Sequence, residues 1–240
     1  MPARALLVIP GPDNPFALPE FAVLLREELA QASADAARAA VGQVLLLQPC
    51  AASRASGFGA RHSGIVHLHA DRGGLRGDVA CDADALPFED DAFPLVVAQH
   101  VGDVLPGGGG FVDELARVLA PGGTLLWYGL SPWSPWLAWI HWQARLGLSV
   151  PRVQHADMVR RELLKRGLAA VGSDHLGSCW PTRGEPSRVH RTALLAPLRA
   201  AYRIAASKQR AVLTPLRPRR ARARVAMQPH LASPSTRARA

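Results

Sequence analysis

Two stretches of this chain decide its predicted fold: CDADALPFEDDAFPLVV at residues 81–97 and ELARVLAPGGTL at residues 114–125. The first ends in a continuous apolar run that reaches Ala98, which is typical of a strand buried on both faces of a sheet. In the second, the apolar residues from Phe111 to Leu119 fall on one helical face, and the Pro-Gly-Gly at 121–123 predicts the end of that helix and a turn. The next apolar run, at residues 124–128, predicts another buried strand.

The same alternation extends outward in both directions. Apolar periodicity predicts two further helices, at residues 18–40 and 156–166. Short apolar runs predict further strands, at residues 44–47, 65–68, 169–172 and 201–206, with one more candidate at 78–81. Strands that alternate with helices indicate an α/β domain whose mostly parallel sheet is covered by helices on both faces. Ligands of such domains bind outside the carboxyl ends of the strands.

Composition agrees with a globular α/β domain. Of the 240 residues, 48% are hydrophobic and 20% are charged, which is ordinary for a soluble protein. No apolar run approaches the roughly 18 residues of a transmembrane helix, and the short apolar stretch near Met1 lacks the features of a signal peptide. Cys50, Cys81 and Cys179 are far apart and odd in number, which predicts free thiols rather than disulfides or a zinc site. We therefore expect a cytoplasmic protein without a metal.

Positive charge is concentrated at the end of the chain. After Glu185, the last acidic residue, there are 13 Lys or Arg, whereas the first 185 residues carry 15 Lys or Arg and 19 Asp or Glu, a net charge of −4. Residues 215–240 consist mainly of Arg, Pro and Ala, which predicts a disordered basic tail after a domain formed by residues 1–214. The tail contains no aromatic residue for base stacking, so any contact with polyanions is expected to be non-specific.

Residues 81–97 and 114–125 together resemble the class I S-adenosylmethionine-dependent methyltransferases of the small-molecule type. The family pattern runs Asp-Ala-x-x-Leu-Pro-Phe, then Phe-Asp-Leu-Val, and later Glu-x-x-Arg-Val-Leu-x-Pro-Gly-Gly before a strand. The layout is also similar to a bacterial methyltransferase-like subgroup with a degenerate glycine motif. The resemblance extends over residues 17–215 and implies a Rossmann-like sheet, with S-adenosylmethionine as the cofactor and a small molecule as the substrate.

The resemblance also implies the residues that would contact the cofactor. Asp82 takes the place of the aspartate that binds the adenine amino group, and the backbone amide of Ala83 takes the place of the donor to the adenine ring. Asp71 is the candidate for the acidic residue that binds the ribose hydroxyls. Gln99 and His100 follow the fourth strand and would line the methionine end. No catalytic residue is assigned, because methyl transfer often requires only proximity and alignment.

Two parts of the family pattern are altered in this chain. Residues 44–53, VLLLQPCAAS, stand where the family has an acidic residue and a glycine-rich loop, and they contain neither. Pro94 replaces the aspartate of Phe-Asp-Leu-Val. These changes leave a second hypothesis open, a methyltransferase-fold protein that binds no cofactor and serves as a binding or regulatory module. A nucleobase methyltransferase is disfavoured, because residues 98–101 read AQHV where that class has Asn/Asp-Pro-Pro-Tyr/Phe.

Alternatives also remain open for individual residues. Asp82 fits a surface turn as well as a cofactor site, and His100 fits a polar residue at the end of a strand that is satisfied by backbone. Five of the six tryptophans lie within residues 127–142. We expect this segment to be a helix packed over the sheet edge, with a substrate wall or a membrane-surface contact as the alternatives. The sequence does not define the oligomeric state.

Overall fold

The computed structural model describes residues 14–37, 41–51, 64–71, 73–105, 109–145, 147–181 and 193–209. The five α-helices of this part of the chain are α1 (Pro19–Ala36), α2 (Val101–Val104), α3 (Gly109–Val118), α4 (Pro135–Ala144) and α5 (Ala156–Lys165). Its seven strands are β1 (Gln43–Gln48), β2 (Gly64–Asp71), β3 (Gly74–Gly77), β4 (Phe93–Gln99), β5 (Leu119–Leu130), β6 (Leu168–Leu176) and β7 (Ala201–Lys208). Short 3₁₀ helices span Pro15–Ala17 and Ala193–Leu198. The predicted tail at 215–240 lies outside the described residues.

The seven strands form one sheet in the order β3-β2-β1-β4-β5-β7-β6. Neighbours among β2, β1, β4 and β5 pair in parallel, and β7 runs antiparallel to both β5 and β6. β6 therefore points the same way as β5. Three of the six pairings are parallel and three are antiparallel, so the sheet is mixed, and the prediction of a mostly parallel sheet holds only for its centre. The strands predicted at 44–47, 65–68, 93–98, 124–128 and 201–206 are confirmed.

The core is divided between the two faces of the sheet. In β1, Leu45 and Leu47 face the cluster that α3 and α5 cover, whereas Val44 and Leu46 face the cluster that includes α1. All four side chains are fully buried, which explains why β1 reads as a continuous apolar run. A third cluster, built from the start of α1, the inner side of α4 and the end of β5, caps the carboxyl end of the sheet. The described helices therefore cover both faces, as predicted.

The candidate strand at 78–81 was wrong. The third strand spans Gly74–Gly77 and forms a tight antiparallel hairpin with β2, in which Asp71 pairs with Gly74 and Leu68 pairs with Gly77. Leu75 is the buried residue of β3, and Cys81 joins the sheet only through a bridge to Leu75. Only one residue of β3 is apolar and buried, so periodicity cannot locate this strand. The glycine-containing hairpin with β2 determines its position.

The predicted turn at 121–123 is instead a bulge inside β5. Leu119 pairs with Phe93 and Thr124 pairs with Leu95, so the four residues between them lie opposite Pro94 alone. Proline has no backbone N–H to donate to the ladder, which favours an interruption at this point. Gly122 adopts a φ of 80°, in the left-handed region that glycine enters without strain. The helix before it ends at Val118, close to the predicted end.

Candidate functional site

The candidate site lies where the parallel strands of the sheet end. β1 ends at Gln48, β2 at Asp71, β4 at Gln99 and β5 at Leu130, and these carboxyl ends lie along one edge because the strands run in the same direction. Four residues predicted from the sequence follow or terminate strands of this edge or of its hairpin: Asp71, Asp82, Gln99 and His100. The strand order reverses between β1 and β4, which lie on opposite sides of the crossover. Ligands of such sheets bind beyond the carboxyl ends of the strands at this point.

Two cavities open at this edge and share Asp71. The larger, here called the edge cavity, has a volume of about 550 Å³ and is lined by Asn14, Pro15, Ala70, Asp71, Gly73, Asp103, Val104, Ser149, Val150 and Pro151. The smaller, here called the hairpin cavity, has a volume of about 420 Å³ and is lined by Asp71, Gly74, Leu75, Arg76, Ala80, Cys81 and Asp82. Cavities of a few hundred cubic ångströms accommodate small molecules and cofactors.

Asp71 is the last residue of β2, at the position where the resemblance implies a ribose-binding acid. Its carboxylate forms an ion pair with Arg76 of β3 at 2.8 Å, and the two side chains are 37% and 65% exposed. An ion pair this exposed contributes little to stability. Asp71 remains partly exposed and lines both cavities. Asp82 is also exposed and lines the hairpin cavity, while Ala83 is half-buried beside it. The structure therefore brings Asp71 and Asp82 to one cavity.

The loop that carries Leu86 and Phe88 is held by two residues of α3, Glu114 and Arg117. Arg117 donates to the backbone oxygens of Phe88 and Leu86 at 2.8 and 2.9 Å, and Glu114 accepts from the amide of Leu86 at 2.8 Å. A hydrogen bond from Arg117 also holds the pKa of Glu114 below its usual range. The Glu-x-x-Arg of the second stretch therefore fixes the Leu-Pro-Phe of the first, which explains why the two sequence signals occur together.

Gln99 and His100 lie at the other end of the site, and neither side chain is exposed. His100 has a φ of 51°, and its ring lies between two carboxylates, with Nε2 at 2.9 Å from Glu28 and Nδ1 at 2.8 Å from Asp103. Burial alone would lower the pKa of His100, but the charge of Glu28 and the hydrogen bonds that the ring donates to both carboxylates raise it to about 9. The imidazole is therefore protonated at neutral pH.

A chain of side-chain amides continues this buried polar network across the sheet. Gln99 donates to Glu28 at 2.8 Å and to the backbone oxygen of Leu25 at 2.9 Å, and it accepts from Gln48 at 3.0 Å. Gln48 Oε1 lies 2.5 Å from Nε2 of His67 on β2. On the other side, Asp103 accepts from the amide of Leu130 at 2.9 Å. Polar groups from β2 to β5 are thus satisfied internally at the position where the resemblance implies the methionine end of a cofactor.

The first described residues of the chain cover this network. Phe16 is 2% exposed, and its ring centroid is 4.8 Å from that of His100. The side chain of Asn14 donates to the backbone oxygen of Pro49 at 2.6 Å, and Sγ of Cys50 lies 3.5 Å from the backbone oxygen of Phe16. The segment from Asn14 to Phe16 is therefore fastened over the end of β1, where the family has its glycine-rich loop. Residues 52–63 lie outside the described residues.

Sequence reasoning missed Glu28 and Asp103, the two partners of His100. Glu28 occupies the apolar face of α1 that also carries Leu25 and Ala32, where a charged residue requires a buried partner. Asp103 stands three residues after His100, a spacing that allows contact across a helical turn. The sequence thus shows that Glu28 needs a buried partner and that Asp103 can reach His100. It does not show that Glu28 and His100 contact each other. Within the described ranges, no group of three or more His, Cys, Asp or Glu could hold a metal ion.

Comparison with known proteins identifies the fold. The profile of a family described as a methyltransferase domain matches residues 59–127, which include β2, β3, β4 and the segment that carries Asp71 and Asp82. The crystal structure of the YcgJ protein from Bacillus subtilis is 16% identical, covers 77% of this chain and 99% of its own, and superposes with a TM-score of 0.51. The chain has the class I methyltransferase fold. The predicted resemblance to S-adenosylmethionine-dependent methyltransferases is confirmed with it.

Two other methyltransferase structures are also similar to this chain. An S-adenosylmethionine-dependent methyltransferase from Mesorhizobium loti is 15% identical, covers 80% of this chain and 98% of its own, and has a TM-score of 0.44. Phosphoethanolamine N-methyltransferase 2 from Haemonchus contortus, solved with S-adenosyl-L-methionine, is 11% identical, covers 82% of this chain and 59% of its own, and has a TM-score of 0.47. No curated protein matches the chain in sequence. Among the described residues of this methyltransferase-fold protein, no helix is long and apolar enough to cross a membrane.

Proposed function

We propose that this chain is an S-adenosylmethionine-dependent methyltransferase that acts on a small molecule. The observation that carries the proposal is the pair of adjoining cavities at the carboxyl edge of the sheet, which share Asp71 and include Asp82. The carboxylates of Asp71 and Asp82 are acceptors suited to ribose hydroxyls and to an adenine amino group. The volume of the edge cavity, about 550 Å³, suits a small acceptor molecule rather than a polymer.

The residues present fit the nucleoside half of the cofactor better than its methionine half. Asp71 and Asp82 would hold the ribose and the adenine, with the amide of Ala83 as a further donor. Where the methionine half would lie, Phe16 is packed on His100 and the polar atoms of Gln99 are already bonded within the protein. When bound, the cofactor would supply the methyl group. The chain's own contribution is to orient the nucleoside and to enclose the acceptor in the edge cavity.

Isothermal titration with S-adenosylmethionine and S-adenosylhomocysteine tests the proposal directly. We expect binding that is weak for this class of protein, since the methionine half lacks its usual contacts. Transfer of a methyl group from S-adenosylmethionine to members of a small-molecule panel would then identify the acceptor. The absence of binding by either compound at saturating concentrations would reject the proposal.

Asp82→Ala is expected to lower the affinity for S-adenosylhomocysteine by about ten- to a hundredfold. Loss of one hydrogen bond to a bound ligand costs about 1–3 kcal/mol, which corresponds to that range. Asp84→Ala is the matched control, because Asp84 is an exposed aspartate two residues away that lines neither the edge cavity nor the hairpin cavity. Titration of both variants checks the prediction. Equal affinities in the two variants would show that Asp82 does not contact the adenine.

A second candidate function is favoured by the contact between Phe16 and His100. In this alternative, the chain keeps the methyltransferase fold without binding cofactor and serves as a binding or regulatory module. Its support is the segment from Asn14 to Phe16, which is hydrogen-bonded to the end of β1 and covers the buried network. The same titration separates the two functions, since only the first requires a nucleoside to bind beside Asp71.

A further inference from the structure

We propose that the outer side of α4, together with Trp133, binds the surface of membranes that contain anionic lipids. Of the tryptophans in the segment from 127 to 142, Trp127 and Trp136 are buried, but Trp133 is 68% and Trp142 is 58% exposed. The ring of Trp133 meets that of His155 edge-on at 6.1 Å, and most of its surface remains exposed. The amphipathic ring of tryptophan is favoured at the boundary between lipid headgroups and acyl chains.

The two sides of α4 differ in what they contact. Trp136 and Ile140 face inward and pack in the cluster that caps the sheet, where the ring of Trp136 lies 4.9 Å from that of Phe21. The exposed residues of the helix are Ala138, His141 and Trp142, followed by Arg145 just after its end. Their spacing of three and four residues places them on one side. The outer side of this helix thus carries the large ring of Trp142 next to the guanidinium group of Arg145.

Charge makes this surface complementary to anionic lipid. The sequence contains no Asp or Glu between Glu114 and Asp157, so α4 and its flanks carry cationic and neutral residues only. From Arg210 to the end there are eight arginines and no acidic residue. Basic residues strengthen the attraction of a chain to anionic membranes, whereas the first 185 residues as a whole have a net charge of −4. The attraction is therefore local to these two segments.

The geometry of α4 suits a helix that lies in the membrane interface. It has ten residues, which correspond to about 15 Å of helix, and one side of it is occupied by the protein core. A nucleic acid is the less favoured partner, because the basic tail from 215 onward has no aromatic residue to stack on bases. The combination of exposed tryptophans with flanking arginine is the pattern of interfacial helices.

Co-sedimentation of the full-length chain with vesicles tests the proposal. We expect binding to vesicles of phosphatidylcholine mixed with phosphatidylglycerol, weaker binding to phosphatidylcholine alone, and release of the anionic vesicles at high salt. Trp142→Ala is expected to lower the partition coefficient about tenfold, because the variant lacks the indole ring whose transfer from water to the interface favours binding. The double variant Arg219→Glu/Arg220→Glu is expected to weaken binding to the anionic vesicles only.

Leu164→Ala is the matched control, since Leu164 is 64% exposed but lies on α5, which packs on the opposite face of the sheet from α1. It is expected to bind vesicles like the native chain. Thermal melting of each variant verifies that the fold is kept, as expected for changes at exposed positions. The proposal is overturned if the native chain does not sediment with anionic vesicles, if Trp142→Ala binds them as well as Leu164→Ala does, or if short duplex DNA competes fully with the vesicles.

Discussion

His100→Ala is expected to lower the free energy of unfolding by about 3–5 kcal/mol. The ring of His100 separates Glu28 from Asp103, and all three side chains are 3% exposed or less. Removal of the imidazolium would leave two buried carboxylates without their shared counter-charge, which costs far more than the loss of an exposed ion pair. Urea unfolding of the native chain and the variant measures the difference.

His141→Ala is the control for this substitution. His141 is exposed on α4, and its Nδ1 lies 2.7 Å from the backbone oxygen of Leu137 in the same helix. Its replacement is expected to change the free energy of unfolding by no more than about 0.5 kcal/mol. Glu28, His100 and Asp103 form a buried triad. If His100→Ala were as stable as His141→Ala, a protonated His100 would not be stabilising the two carboxylates of this triad.

The same triad predicts a decline of stability at alkaline pH. The folded-state pKa of His100, about 9, lies above its ordinary value of 6.5, so its contribution is fully present below pH 6.5 and is lost as the pH rises through 9. Burial also raises the pKa of Asp103, and the stability linked to that carboxyl is lost as the pH rises from its ordinary pKa of 3.8, so this loss begins in the acidic range. Urea midpoints measured across this range should fall more steeply for the native chain than for His100→Ala.

The sequence predicted those parts of the fold whose signal is local. The apolar runs of β1, β4 and β5 identify buried parallel strands, because both faces of these strands are covered and no alternation is expected. The position of β3 in the sequence could not be predicted from periodicity, because only Leu75 of that strand is buried. Its position depends on a glycine hairpin with β2, and such a short signal is easily assigned to the wrong residues.

The sequence predicted only part of the candidate site, because only part of it depends on local signals. Residues 81–97 carry their own motif, so Asp82 could be assigned within it, and the resemblance extended the assignment to Asp71. The triad depends on a contact between Glu28 and His100, which lie 72 residues apart in sequence. A buried glutamate on an apolar helix face indicates that some partner exists, but only the sheet order brings α1 over the end of β4 and identifies His100 as that partner.

Phe16→Ala is expected to tighten the binding of S-adenosylhomocysteine by about tenfold or more. Phe16 fills the space beside His100 at the end of β4, where the methionine half of the cofactor would otherwise lie. Truncation to alanine opens that space and leaves unchanged Asp82 and Asp71, the residues that we propose hold the adenine and the ribose. A gain of tenfold corresponds to about 1.4 kcal/mol, a fraction of the apolar and polar contact that the methionine half could form. Titration of the variant beside the native chain measures the change.

Phe21→Ala separates this effect from a general loosening of the core. Phe21 is fully buried in the same cluster, and its ring lies 4.7 Å from that of Phe16 and 4.9 Å from that of Trp136. Both truncations are expected to lower the free energy of unfolding by about 3–5 kcal/mol, because both leave a cavity of similar size. Only Phe16→Ala should change affinity, since Phe16 is the one of the two rings that contacts His100. Equal gains in both variants would assign the effect to lost rigidity, and no gain in either would mean that Phe16 does not occupy the cofactor site.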